Sequence, residues 1–216
     1  MLEPIQGEGG DRHFRSEFLR ALRRVADERE ALLIFDEVQT GVGASGKFWA
    51  HEHAGVRPDI LCFAKKLQVG GFFASTRIDD VDNVFKVPSR ISSTWGGGLV
   101  DMVRATHILH AIEAEDLVLN AEQRGRDMLQ GLAELASEFP ELLGNVRGQG
   151  LLCAFDLPSA AQRAELVKLC FAEQLLVLAG GPASVRLRPA LVVSSDEVRL
   201  ALGRLRTAIT RLGARA

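Results

Sequence analysis

Apolar residues recur at helical spacing over Phe14 to Glu30, where Phe14, Phe18, Leu22 and Val25 stand between charges, and this predicts an amphipathic helix. The period then changes. Leu32-Leu33-Ile34-Phe35 is wholly apolar and closes on Asp36-Glu37, the pattern of a buried parallel strand whose C-terminal end delivers polar residues to a crevice. Gly41, Gly43 and Gly46 mark a loop and Pro58-Asp59 a turn, before a second buried strand over Ile60 to Phe63 that ends at Ala64-Lys65-Lys66. Phe72 to Ser75 reads as a third short strand, and Ser93-Thr94-Trp95-Gly96-Gly97-Gly98 as a glycine-rich loop feeding a helix from about Leu99 to Glu115. A long helix from about Val118 to Phe139 follows, with Met128, Leu132 and Leu135 on one face. After Gly148-Gln149-Gly150 come a strand over Leu151 to Phe155, a helix near Ala160 to Glu173, and short strands at Leu175 to Leu178 and Val185 to Leu187. The last helix runs from Ser195, whose hydroxyl is placed to cap it with Glu197 close by, to about Leu212. The alternation is that of an α/β protein, and its change of character near Glu115 divides the chain into residues 1–115 and an α+β part, 116–216.

Composition narrows the function classes. The 216 residues carry 26 Lys plus Arg against 28 Asp plus Glu, a net charge of −2, which offers no electrostatic footprint for nucleic acid or an anionic membrane. With 47% hydrophobic and 25% charged residues, long disorder is excluded. The longest charge-free stretch, Gln174 to Val185, is broken by Gly180, Gly181 and Pro182 and falls well short of the roughly 20 apolar residues a bilayer span needs. The opening residues, Met1 to Glu8, are acidic and polar where a secretory signal wants a basic start and an apolar run, so the expected address is cytoplasmic. Cys62, Cys153 and Cys170 are widely spaced in apolar runs and read as buried thiols. There is no Tyr, which removes any mechanism needing a tyrosine of this chain.

Gly41-Val42-Gly43-Ala44-Ser45-Gly46-Lys47-Phe48 satisfies two phosphate-loop patterns at once, G-x-G-x-x-G and G-x-x-x-x-G-K. A P-loop needs Ser or Thr after the lysine to hold Mg²⁺, and Phe48 stands there; the acidic strand end also precedes the loop, the wrong order. A dinucleotide fold wants its acid at the end of the next strand, whereas Asp59 sits at that strand's beginning. His51-Glu52-His53 places two imidazoles at i and i+2, which point apart on a helix, and His107 with His110 lacks a carboxylate partner at matching spacing, so no metal site is expected.

Asp36 and Lys65 differ in kind from these motifs. Each terminates an apolar strand, and an acid or amine at such a position needs a partner charge or a ligand. The plain alternatives are a helix cap or salt bridge for Asp36 and a snorkelling surface lysine for Lys65. At the ends of neighbouring strands, the two make a carboxylate and an amine able to face one crevice. Pyridoxal phosphate (PLP) chemistry asks for such a pair, a Schiff-base lysine and an acid for the pyridinium nitrogen.

The stretch Leu33-Ile34-Phe35-Asp36-Glu37-Val38-Gln39-Thr40-Gly41-Val42-Gly43, followed by Pro58 to Lys65, resembles the signature of class III PLP-dependent aminotransferases. Glu3 to Asp11, Lys65-Lys66 with Gln68-Val69, and Ser93 to Gly97 followed by Asp101 to Arg104 are most similar to the L-lysine 6-aminotransferase branch of that family. The resemblance implies the C-terminal part of a fold type I PLP-dependent transferase: a partial large-domain sheet over residues 1–115 and a small C-terminal α+β domain over 116–216. It implies that Asp36 binds the pyridinium nitrogen, Val38 packs on the ring face, Gln39 bonds the ring hydroxyl, and Lys65 rather than Lys66 forms the Schiff base. Thr94 matches the residue that reaches the phosphate of a neighbouring subunit's cofactor, which implies a homodimer with shared sites. Glu8 and Arg186 resemble a switch pair, the glutamate neutralising the arginine for an amine substrate and releasing it for the carboxylate of 2-oxoglutarate. Arg188 is the competing choice for that arginine, because it shares the strand face of Arg186.

The implied reaction moves the ε-amino group of L-lysine to 2-oxoglutarate, giving glutamate and 2-aminoadipate 6-semialdehyde. The nearest alternative is an ω-aminotransferase for ornithine, acetylornithine or 4-aminobutyrate; the alternative from another class is an inactive remnant. Members of the family are much longer. The main phosphate-cradling loop, the ring-stacking aromatic and an arginine for the α-carboxylate are therefore expected outside these residues, and Leu33 and Ile60 are expected to lack sheet neighbours and expose an apolar edge.

Overall fold

Two sheets of unlike construction organise residues 1–214, the residues described in this computed structural model. The first holds β1 (Ile34–Asp36), β2 (Ile60–Phe63) and β3 (Gly71–Ala74) in that order, with β1 and β2 parallel and β3 antiparallel to β2. The register sets Asp36 opposite Cys62, so β1 and β2 finish at the same end of the sheet, and Gln39 and Lys65 each lie three residues beyond that pair.

Beneath this sheet lies α1 (Ser16–Glu28), which buries Leu19 and Ala26, with Leu22 beside them, against Leu33, Phe35, Ala54 and Val56. The face expected from Phe14, Phe18 and Val25 is not the buried one. These side chains are exposed, and the two phenylalanines pack on each other with ring centroids 5.2 Å apart. Spacing alone located the helix, but the packing stripe runs through Leu19, Leu22 and Ala26 at i, i+3 and i+7. The expected apolar edge at Leu33 is also corrected. Leu33 is buried under α1, and Leu2 runs parallel to β1, its N–H donating to the Ile34 carbonyl at 3.1 Å and its carbonyl accepting from Asp36 N at 2.9 Å. Further exposed apolar side chains lie on β3 and beyond it, at Phe72, Phe73, Phe85, Ile91 and Trp95.

The second sheet runs β4 (Gly144–Gln149), β5 (Leu152–Asp156), β7 (Ser184–Leu187) and β6 (Leu178–Gly180), antiparallel throughout. Its core joins Cys153, Phe155 and Val185 to Leu132 and Leu135 of α3 (Leu117–Glu138), Leu166 and Cys170 of α4 (Ala160–Ala172), and Leu205 and Ile209 of α5 (Ser195–Gly213). A further helix, α2 (Leu99–Ala114), packs on α3. Here β4 was not anticipated, because Gly-Asn-Val-Arg-Gly-Gln has no strand pattern of its own and is a strand through pairing with β5. The strand expected at Leu175 to Leu178 starts only at Leu178, since Leu175 N still donates to the Cys170 carbonyl at the end of α4. The cap of α5 is Ser194 rather than Ser195: its hydroxyl accepts from Glu197 N and the Glu197 carboxylate accepts from Ser194 N. All three cysteines are free, and burial pushes the Cys153 and Cys170 thiols up to about 12.

The glycines of the false phosphate loop have a packing reason. Residues 41–46 are buried between the sheets, and a Cβ at Gly46 would lie 3.1 Å from the Glu122 backbone in α3. Gly150, at φ +56°, meets the same loop: a Cβ there would stand 2.3 Å from the Ser45 carbonyl carbon, while Leu151 N donates to the Ala44 carbonyl at 2.9 Å. Backbone-to-backbone contact requires glycine here as strictly as a phosphate would.

Candidate active site

At the end of β1 the paired carboxylates separate. Glu37 is 1% exposed and holds the connection to β2 together: it accepts from Thr40 Oγ1 at 3.0 Å, Ala50 N at 2.6 Å and His51 N at 2.9 Å, and lies 2.8 Å from His51 Nδ1. Asp36 is half-buried and, among the described residues, its carboxylate accepts one bond, from Val38 N to Oδ1 at 3.0 Å, leaving acceptor capacity unused there. Its charge acts on Cys62 across the ladder, whose thiol is pushed up first by burial and then by Asp36.

At the end of β2, a short 3-10 helix begins at Lys65, whose φ of +26° lies in a region that side-chain-bearing residues rarely adopt. Such strain persists where surrounding structure enforces it, and it collects at functional sites. The Lys65 side chain is exposed and makes no hydrogen bond or ion pair among the described residues. Lys66 behaves differently. Its Nζ donates to the Gln39 carbonyl at 2.6 Å, and burial, with the nearby cations Arg188 and Lys65, brings its ammonium down to about 8.

Gln39, Lys65, Lys66 and Arg188 line one cavity of about 620 Å³ whose remaining walls include Ala44, Leu151, Leu152, Leu178 and Leu191. Arg188 forms an ion pair with Asp11, a fully buried carboxylate that also lies 3.1 Å from His13 Nε2. Arg186 is absent from that cavity lining; it donates through Nε and Nη2 to the Ala179 carbonyl at 3.1 and 2.9 Å, without a carboxylate partner among the described residues. Glu8 is exposed, and its carbonyl accepts from Gly181 N at 2.9 Å. Both members of the expected switch pair thus touch residues 179–181, but their charged groups are not paired. Val38 lies half-buried in the turn after β1, and Thr94 lies in an exposed turn away from the cavity lining.

The structure therefore brings Gln39 and Lys65 together, sets Asp36 and Val38 at the adjoining strand end, and leaves Glu8, Arg186 and Thr94 apart from them. Sequence reasoning missed the parts of Lys66 and of the Asp11–Arg188 pair. Asp11 and Arg188 are 177 residues apart, and no local periodicity signals their meeting. His51 and His53 serve separate loops, His51 on Glu37 and His53 donating from Nε2 to the Ser45 carbonyl at 3.0 Å.

Comparison with known proteins identifies the surrounding architecture. The family model described as aminotransferase class-III matches residues 1–209. The chain is 53% identical over 208 residues to the L-lysine-epsilon aminotransferase of Mycobacterium tuberculosis and 47% identical over 210 residues to that of Streptomyces clavuligerus, covering 96% of this chain and 46% of the relative in each case. Among solved structures, a lysine aminotransferase from M. tuberculosis superposes with a TM-score of 0.95 at 52% identity, over 98% of this chain and 49% of that one. An amine transaminase from an uncultivated Pseudomonas species, solved with PLP bound, gives 0.89 at 32% identity, over 98% of this chain and 52% of that one. The chain spans about half the length of the curated relatives it matches.

Proposed function

Because the chain belongs to the class III aminotransferases, we propose that it is the C-terminal part of a PLP-dependent enzyme that moves the ε-amino group of L-lysine to 2-oxoglutarate, releasing glutamate and 2-aminoadipate 6-semialdehyde. What supports the reading is the cavity beyond the ends of β1 and β2, which Gln39 and the unpartnered Lys65 both line, with Asp36, a carboxylate with spare acceptor capacity, at the adjoining strand end. The amine donor is inferred from the lysine aminotransferases that this chain matches at 47–53% identity.

The donor set fits PLP. Its aldehyde calls for an amine, its pyridinium nitrogen for a carboxylate, and its ring hydroxyl for a hydrogen-bonding amide; Lys65, Asp36 and Gln39 are these groups. When bound, PLP supplies an aldehyde that captures amines and a ring that draws electrons from the substrate carbon. Asp36, through its uncommitted oxygen, would hold the proton on the ring nitrogen. Val38 would lie against the ring, and Lys65 Nζ, free of any partner, would hold the aldehyde end and carry a proton at the reacting carbon. The left-handed backbone of Lys65 fixes the direction from which that amine is presented.

Of the two candidate switch arginines, Arg186 has the guanidinium that no carboxylate already holds among the described residues, although Arg188 is the one that lines the cavity. Arg188 already has a carboxylate in Asp11, whereas Arg186 gives its guanidinium to a neutral carbonyl that a substrate carboxylate can replace. Glu8, tied to the same 179–181 stretch, would neutralise Arg186 when lysine presents an amine instead. The proposal includes a cytoplasmic homodimer whose contact surface contains the exposed apolar stretch around Trp95, with Thr94 reaching the partner's phosphate. It also keeps the division at residues 115 and 116, each part with its own sheet.

The test is to add PLP to the purified protein, follow the visible absorbance of the bound cofactor, and screen amine donors with 2-oxoglutarate. Glutamate formed from L-lysine well above that from ornithine or 4-aminobutyrate is the expected outcome. A preference for either of those donors would overturn the substrate assignment, and no cofactor band would overturn the reading as a whole.

A further inference from the structure

Lys66 has no task in the reaction proposed above, yet it is the more deeply placed of the two lysines in the cavity and its amine makes a specific bond, Nζ to the Gln39 carbonyl at 2.6 Å. That bond spans 27 residues and joins the turn after β1 to the turn after β2. The last backbone tie between these strands is Glu37 N to the Cys62 carbonyl at 2.9 Å; beyond it the two chains part. Gln39 stands on one side of that divergence and Lys65, on its strained backbone, on the other. We propose that Lys66 is a positioning residue: its amine clamps the Gln39 carbonyl, fixes the spacing of the two turns, and so presents the Gln39 amide and the Lys65 amine to one bound molecule. The identity of that molecule rests on the function proposed above; the clamp itself is a property of this chain alone.

The electrostatics support a positioning role over a stabilising one. Lys66 is faced by two cations, Lys65 in its own turn and Arg188 after β7, and by the carboxylate of Glu37 after β1. A buried ammonium in such company is costly, and an apolar side chain of the same length would fill the space without that cost. The clamp is charge-assisted while Lys66 is protonated and weakens as pH rises through about 8.

The experiment compares the 216-residue chain with its Lys66→Met and Lys66→Arg variants by amide hydrogen exchange without cofactor. Exchange over Val38–Gly41 is expected to rise about tenfold in Lys66→Met, the scale of one lost charge-assisted hydrogen bond, and to return towards wild type in Lys66→Arg, with α5 unchanged in both. In wild type, exchange there, corrected for intrinsic rate, is expected to rise between pH 7 and pH 9.5, and Lys66→Arg is expected to abolish that rise; this arm needs no apolar substitution to fold. A second readout adds PLP, traps it with borohydride and maps the label: Lys65 is expected to lose label in Lys66→Met and regain it in Lys66→Arg. Unchanged exchange over Val38–Gly41 in Lys66→Met, or an equal rise in α5, would overturn the clamp. If wild type traps no label at all, the proposed function fails while the exchange data still decide the clamp.

Discussion

Two adjacent carboxylates, Asp36 and Glu37, show how one peptide unit divides structure from chemistry. Successive side chains of a strand end point to opposite sides, so Glu37 is consumed by the donors of the β1–β2 connection while Asp36 keeps acceptor capacity. The same connection sets a pH dependence through His53. Burial holds its imidazole below the usual 6.5, outweighing the favourable Ser45 carbonyl, so the folded chain binds the proton less well than the unfolded chain. The contribution of His53 is therefore complete above pH 6.5 and is lost as pH falls through the unfolded value and below it. Urea midpoints measured from pH 7.5 down to pH 5 should fall less steeply in His53→Gln than in wild type. Equal slopes would show that His53 does not contribute.

At the scale of elements, the close approach of loop 41–46 to Gly150 is the joint between the sheets. Gly150→Ala forces a side chain into the Ser45 backbone at a left-handed position, and is expected to cost about 2–4 kcal/mol. Urea unfolding checks this, and a change within error would contradict the packing account of that glycine pattern. The elements themselves were legible in proportion to how far their burial is local. The apolar runs before Asp36 and Lys65 marked both strands and where they end, and the helices from Leu99, Leu117 and Ala160 lie close to their expected bounds. β4 was not legible, since its pairing with β5 makes the strand. At the site, Asp36 and Lys65 stood out because each breaks an apolar run. The bond of Lys66 to Gln39 and the pairing of Asp11 with Arg188 did not, because they join residues 27 and 177 positions apart.

For the whole molecule, the uneven distribution of exposed apolar surface is the main feature still to be satisfied. Trp95 is 89% exposed and Leu99 82%, adjoining Val100 and Val103; the second sheet and its helices enclose a continuous core, with Phe171 and Leu176 exposed outside it. The proposed homodimer covers this stretch. Sedimentation should show self-association that Trp95→Asp with Leu99→Asp abolishes while the melting of α3–α5 is retained. A monomer at all concentrations would contradict the placement of that contact.

In the function proposed above, the end of β2 presents Lys65 as the amine that captures PLP. The decisive measurement is to incubate the protein with PLP, reduce with borohydride, and map the modified peptide by mass spectrometry. A single dominant label is expected on Lys65, lost in Lys65→Arg while the fold is kept. Label on Lys66 instead, or spread over surface lysines with Lys65 unmodified, would contradict it.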